Sequence, residues 1–184
     1  MTQGSDNTFE SLALGHLDAV YRAALAITGR SELAEDLTQA TMLKAIQSFG
    51  SFRPGTSCKA WLLQILRNTW IDRLRREGTA GFTLAIDEDL LARSEPDRTN
   101  WTNAADLLEN FSDSQVIEAL AELGEDQRLA LYLVDVEQMS HADVAAILGV
   151  AVGTVKSRTG RARALLKARL GRHAKDLGFV GRRS

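Results

Sequence analysis

Cysteine is almost missing from this 184-residue chain, proline occurs twice, and long apolar runs do not occur. The single cysteine, Cys58, can form no internal disulfide and lies near no histidine or second thiol at zinc-ligand spacing, so it is expected as a small buried or half-buried thiol. Scarce proline and the absence of β-branched alternation argue against a sheet-rich fold. No segment approaches the ~20 apolar residues of a membrane span. The first residues, MTQGSDNTFE, lack the basic start and apolar core of a secretory signal, which predicts no membrane insertion and a cytoplasmic location. The three histidines, His16, His141 and His173, are scattered, with no Ser/His/Asp set, Gly-rich phosphate loop or metal cluster around them. Neither enzymatic chemistry nor a metal or other cofactor is expected.

What the chain does have is helical periodicity, from about Phe9 to Arg76 and again from about Asp113 to Leu170. Its 45% hydrophobic content suffices for one ordinary domain or two small ones. Between the periodic stretches, GTAGFTLAIDEDLLARSEPDRTNWTNAADLLENF mixes Gly, Thr, Asn, Pro and acids without a sustained period. The predicted fold is therefore all-α, two small helical domains (1–77 and 114–184) joined by an acidic flexible linker (78–113). The net charge of −2 conceals this division. Residues 1–77 carry 9 basic and 8 acidic side chains, 78–113 carry 2 and 8, and 114–184 carry 11 and 8. From 153 onward, 10 Lys or Arg face the single acid Asp176, a composition suited to phosphates. The linker's acidity fits a solvated tether, or a mimic of nucleic-acid charge lying in a partner's basic channel.

The C-terminal stretch reads as a helix-turn-helix. Ser140 precedes Asp143 by three residues, a capping-box-like start; Val144, Ile147 and Leu148 supply an apolar face, and Gly149 suits the left-handed position that ends a helix. A second helix from Val152 places Val155, Thr159, Ala162 and Leu166 on a dry face, with Thr154, Ser157, Arg158 and Arg161 on another. Upstream, Val116–Leu123 and Glu125–Glu137 are expected as helices that bury Val155 and Ala162. Arg158 and Arg161 are placed to reach guanine edges or phosphates, and Lys156 and Ser157 to fix register on the backbone. Gly160 costs ~1 kcal/mol within a helix and leaves a bare spot on the DNA side.

In the N-terminal half, Glu32, Asp36, Gln39 and Leu43 share one helical face that suits a basic protein partner, with Leu37 and Ile46 available to the core. Phe52-Arg53-Pro54-Gly55 makes a rigid turn. The next helix aligns Trp61, Ile65, Asn68 and Asp72, and ends with Arg73, Arg75 and Arg76. Aromatic rings, an amide and arginines around a loop suit single-stranded nucleic acid, and the loop 51–57 can shape a pocket for an extruded base. Trp61 and Trp70 fit a core position equally well.

Together, AEDLTQATMLKAIQSFGSFRPGTSCKAWLLQILRNTWIDRLRRE and the distant VGTVKSRTGRAR resemble the group IV, extracytoplasmic-function sigma factors of bacterial RNA polymerase. The resemblance covers roughly residues 9–77 and 114–170. It implies an initiation factor whose first domain binds the polymerase clamp and opens the −10 promoter element, and whose second holds the −35 element and the polymerase flap. By this resemblance the clamp-binding motif falls on Asp36 and Gln39. The −10 recognition loop falls on residues 52–57, including Phe52 and Arg53, and the following helix brings Trp61, Asn68, Asp72, Arg75 and Arg76 to the promoter. The −35 readers fall on Lys156, Ser157 and Arg161, with Arg158 and Arg163 on phosphates. The resemblance also implies a linker directed toward the polymerase active centre and RNA exit path, and control by an anti-sigma factor in stress-response transcription. Residues 110–120 with YLVDVE are similar to members controlled by redox-sensitive, zinc-containing anti-sigma factors. Three departures stand out: Thr159 replaces a bulky apolar residue, Gly160 a larger side chain, and Leu123-Gly124-Glu125 a Leu-Pro-Pro opening. The residues by themselves also admit a free-standing helix-turn-helix repressor, or an adaptor that binds protein alone.

Overall fold

The computed structural model describes residues 8–77 and 114–176, and every element among them is helical. The expected linker, 78–113, and the end of the basic tail, 177–184, lie outside the described residues. The N-terminal unit comprises α1 (Phe9–Ala13), α2 (Leu17–Thr28), α3 (Ser31–Ser48) and α4 (Cys58–Arg76). The C-terminal unit comprises α5 (Ser114–Ala121), α6 (Glu125–Leu131), α7 (His141–Leu148) and α8 (Val152–Asp176). None of the described helices is long and apolar enough to cross a membrane.

Local chemistry sets the boundaries. Gly29 takes φ 67°, which closes α2 through its N–H to the Leu25 carbonyl at 2.8 Å and turns the chain directly into α3. Ser57 caps α4 by accepting the Ala60 N–H at 3.2 Å, while Arg73, Arg75 and Arg76 end it where the helix dipole favours cations. Burial on α3 falls on Ala34, Leu37, Thr38, Thr41 and Ala45. Leu37 is buried as expected, but Ile46 is 54% exposed, so the expectation that it is available to the core is corrected. Nine residues separate it from Leu37, and nine steps of 100° bring it to the opposite side of the helix.

The helix expected over Glu125–Glu137 is α-helical only to Leu131. A wider π turn over Tyr132–Val136 follows, in which the Glu137 N–H reaches the Tyr132 carbonyl at 3.1 Å. Gly124, standing where a proline was expected, opens α6 at φ −63°, an angle proline itself would hold, and its N–H donates to the Gln127 side chain at 3.2 Å.

The two units share one core. Ala26, Leu62, Leu63, Leu66 and Trp70 from the first cluster with Leu129, Leu133, Val144, Leu148 and Val155 from the second. Polar contacts line the same seam. Trp70 Nε1 donates to Glu125 at 2.9 Å, and Lys59 Nζ donates to Glu137 at 2.7 Å while the Tyr132 hydroxyl donates to the other Glu137 oxygen at 2.6 Å. Arg128 is inserted deepest: its Nε and Nη2 donate to the Ala26 and Ile27 carbonyls, each at 2.8 Å, and Nη1 to the Leu123 carbonyl. Burial lowers its pKa to about 10, opposed by the charge of Glu125, so the guanidinium remains protonated at neutral pH.

Burial would raise the Glu137 carboxyl, but the hydrogen bonds from Lys59 and Tyr132 and the charges of Lys59 and Arg22 outweigh it and hold the pKa below 4.5. A carboxylate with a depressed folded pKa adds stability above its unfolded value and loses it as pH falls through the folded one. Glu137→Gln should therefore lower the thermal midpoint at neutral pH and flatten its fall below about pH 4.5. Midpoints measured by circular dichroism across that range check this.

Candidate nucleic-acid and protein interfaces

Three surfaces collect the residues singled out by sequence. On α3, Glu32, Asp36, Gln39, Leu43 and Ile46 form one exposed face, with Leu43 60% and Ile46 54% exposed. Acids, an amide and two large aliphatic side chains in water make a surface suited to a protein partner, whose cations they attract and whose apolar groups they cover. Asp36 lies 3.9 Å from Arg73, which is engaged more closely by Glu77 at 2.8 Å.

The second surface follows α3 into the loop and α4. Arg53-Pro54-Gly55-Thr56 is a type II turn: Gly55 takes φ 87° and the Thr56 N–H reaches the Arg53 carbonyl at 3.2 Å. Arg53 stands exposed beside it. Phe52 and Trp61 are both half-buried, with ring centroids 5.2 Å apart, and Phe49 stacks on Phe52 at 6.0 Å. Phe9 meets Phe49 edge-on at 5.5 Å. These rings hold the loop against α4 and α1 while leaving part of their surface open. Trp70 is buried in the seam instead, which settles its position in the core.

Beyond the rings, α3 and α4 enclose an open recess of about 370 Å³ lined by Lys44, Gln47, Ser48, Ile65, Asn68 and Thr69. Lys44 donates to Asp72 across its end at 3.1 Å. Of these, Asn68, Asp72 and Ile65 were visible in the α4 periodicity. The α3 residues were not, since nothing in the order of Lys44, Gln47 and Ser48 signals a wall shared with another helix. Arg75 and Arg76 are exposed at the end of α4.

The third surface is the α7–α8 pair. Ser140 accepts the Asp143 N–H at 3.1 Å and donates to its carboxylate at 2.7 Å; Gly149 takes φ 62°. On α8, Val155, Thr159 and Ala162 are 0%, 1% and 0% exposed, as the periodicity predicts. The Thr159 hydroxyl, buried where an apolar group was expected, donates to the Val155 carbonyl at 3.0 Å and so leaves no unpaired polar atom. A Cβ on Gly160 would meet nothing within 4 Å. Gly160→Ala should accordingly raise stability by ~0.5–1 kcal/mol through helix propensity alone, measurable by urea denaturation.

Lys156 and Arg161 are exposed and Ser157 half-buried, its hydroxyl donating to the Thr154 carbonyl at 3.0 Å. Arg158 turns inward instead to pair with Asp126 at 2.8 Å, with its side chain 18% exposed. Arg163 forms a two-point pair with Asp135 at 2.5 and 3.1 Å, which raises its pKa further. Arg67 of α4, which the sequence did not single out, completes this region. Its pKa is lowered by burial, which the charge of Asp126 opposes and that of Arg158 reinforces.

Comparisons with known proteins give two family matches along the chain. Residues 12–79 match sigma-70 region 2, and residues 113–166 match sigma-70, region 4. The chain is 33% identical to the ECF RNA polymerase sigma factor SigE of Mycolicibacterium smegmatis over 95% of its own length and 66% of that protein's, just under two thirds. It is 38% identical to EcfG of Rhodopseudomonas palustris (80% of this chain, 76% of that one) and 38% identical to SigM of Mycobacterium tuberculosis (91% and 80%). Among solved structures, the sigma factor RpoE in complex with the anti-sigma factor NepR from Bartonella quintana aligns with TM-score 0.67 and 32% identity, covering 89% of this chain and 96% of that one.

Proposed function

Because the chain belongs to the extracytoplasmic-function sigma factors of the sigma-70 family, we propose that it binds core RNA polymerase and directs it to a set of promoters through both −35 and −10 elements. Residues 1–77 form the domain for the polymerase clamp and the −10 element, 114–184 the domain for the −35 element and the flap, and 78–113 the acidic connector between them. The observation that carries this reading is the coexistence of an exposed acid, amide and aliphatic face on α3 with a capped helix-turn-helix whose second helix is dry on one side and cationic on the other. A repressor needs only the second.

On α3, Asp36 and Gln39 meet the clamp, with Leu43 and Ile46 adding apolar contact. Arg53, Arg75 and Arg76 hold phosphates of the −10 region while Phe52 and Trp61 offer ring faces. The neighbouring recess seats an unstacked base against Ile65, with the Asn68 amide and the Lys44–Asp72 pair at its polar wall. Lys156, Ser157 and Arg161 meet the −35 element, and Arg158 and Arg163 reach phosphates once released from Asp126 and Asp135. The protein works in the cytoplasm, performs no chemistry of its own, and answers to an anti-sigma factor in stress-response transcription. Bond formation in RNA belongs to the polymerase.

In vitro transcription with purified core polymerase and a promoter library tests this directly. Transcripts starting at a common promoter pattern, absent when the chain is omitted, are expected. No promoter-directed transcript from verified active core would overturn the reading.

A further inference from the structure

We propose that Asp135 is a built-in competitor for a DNA phosphate: its carboxylate fills the guanidinium fork of Arg163 and so limits how tightly α8 grips the duplex. This rests on the assignment of α8 to promoter DNA above and adds the residue that restrains it.

The fork geometry makes the competition direct. Nη2 and Nε of Arg163 donate to the two Asp135 oxygens at 2.5 and 3.1 Å. A guanidinium holds a phosphate by the same pair of parallel hydrogen bonds, so only one of the two anions can occupy that edge. The edge is also placed for DNA. Arg163 follows Lys156 by seven residues, two helical turns that bring it back to within about 20° of the same line on α8. Both partners meet solvent, with side chains 49% and 39% exposed, so the pair can open without disturbing the core. The Arg158–Asp126 pair is shut in by comparison, at 18% and 24%.

The backbone that presents Asp135 is irregular at this point. The π turn over Tyr132–Val136 takes the place of a last α-helical turn. Gln138 takes φ 54°, the only positive φ of a non-glycine residue among the described residues, and its side-chain amide donates back to the Asp135 carbonyl. Wide turns and left-handed non-glycine residues persist where the surrounding structure demands their geometry. Here they turn two acids, two residues apart, toward different partners. Glu137 meets Lys59 and Tyr132, while Asp135 faces α8.

Competition of this kind leaves an electrostatic signature. An unengaged arginine that takes a phosphate displaces a condensed counterion, and each such contact steepens the fall of log Kobs with log[salt] by about 0.9. Arg163 instead exchanges one anion for another, and the abandoned carboxylate recruits a cation in return. The exchange therefore adds little slope and little affinity. A phosphate contact carries no sequence information, so the restraint acts on any duplex.

The test uses the full-length chain and a fluorescein-labelled duplex of arbitrary sequence, about 30 base pairs long, titrated by anisotropy from roughly 20 to 200 mM salt. Asp135→Asn keeps the shape of the side chain and the carbonyl that Gln138 binds, so the fold should persist. It should tighten binding at least about fivefold at the lowest salt and steepen the slope by about one ion. In an Arg163→Gln background the same change should tighten binding less than about twofold and leave the slope unaltered, because no fork remains to be freed. Equal gains in both backgrounds would make Asp135 one more negative charge near DNA, and unchanged or weaker binding by Asp135→Asn would make it a support for Arg163. Either result overturns the proposal, as does the absence of salt-dependent binding in every variant. Failure of the sigma-factor assignment is read separately: the cycle can hold while no variant directs transcription by core polymerase.

Discussion

Asp36→Arg is expected to weaken binding to core polymerase at least tenfold while moving the thermal midpoint by no more than a few degrees. The two effects separate because Asp36 is an interface residue with little structural duty. Its carboxylate is 67% exposed, and its ion pair with Arg73 is long at 3.9 Å. Exposed pairs of this kind contribute ~0–1 kcal/mol. Arg73 keeps Glu77 at 2.8 Å whether Asp36 is present or not. At an interface built on opposite charge, by contrast, reversing a sign converts attraction into repulsion worth several kcal/mol. Affinity for core polymerase measured by fluorescence anisotropy, beside a melting curve, distinguishes the outcomes. Unchanged affinity would contradict the assignment of the α3 face to the clamp.

Val155→Asp should abolish cooperative folding of the C-terminal unit. Val155 is fully buried, belongs to the core shared by both units, and lies on the inward line of α8 with Thr159 and Ala162. A carboxylate there has to be buried as a charge or protonated, at a cost of roughly 4–5 kcal/mol or more. Domains of this kind hold only ~5–15 kcal/mol in total. Loss of the helical signal and of −35 duplex binding together is the expected result. A folded, DNA-binding variant would mean that α8 does not pack through this face. Val152, 40% exposed on the same helix, is the control position for an equal change of charge.

The contrast between these two positions shows which parts of the molecule were written in short-range pattern. The inward face of α8, the Ser140 cap, the left-handed Gly149 and the type II turn at Gly55 all depend on residues within one or two helical turns of each other. Spacing alone places them. The seam depends on pairs about 55 to 102 residues apart: Trp70 with Glu125, Lys59 with Glu137, Arg128 with Ala26. No local period encodes such pairs, and a basic face counted from composition does not reveal that Arg158 and Arg163 each have a carboxylate waiting. Ile46 was misplaced for a different reason. An aliphatic residue is available to the core by type, although its angular position relative to Leu37 puts it on the outer face with Asp36 and Leu43. The error is informative, since an aliphatic side chain kept in water on the proposed clamp face is what a protein interface requires.

On the proposed function, one subunit grips two promoter elements and opens one of them only within polymerase. Permanganate reactivity of thymines in the −10 element of a promoter from the transcription screen measures this most directly. Reactive thymines are predicted when both core polymerase and this chain are present, and unreactive ones with either alone or with core polymerase and Asp36→Arg. Opening by the chain without polymerase, or stable protection of a near-palindromic site by a dimer of the chain alone, would contradict the account.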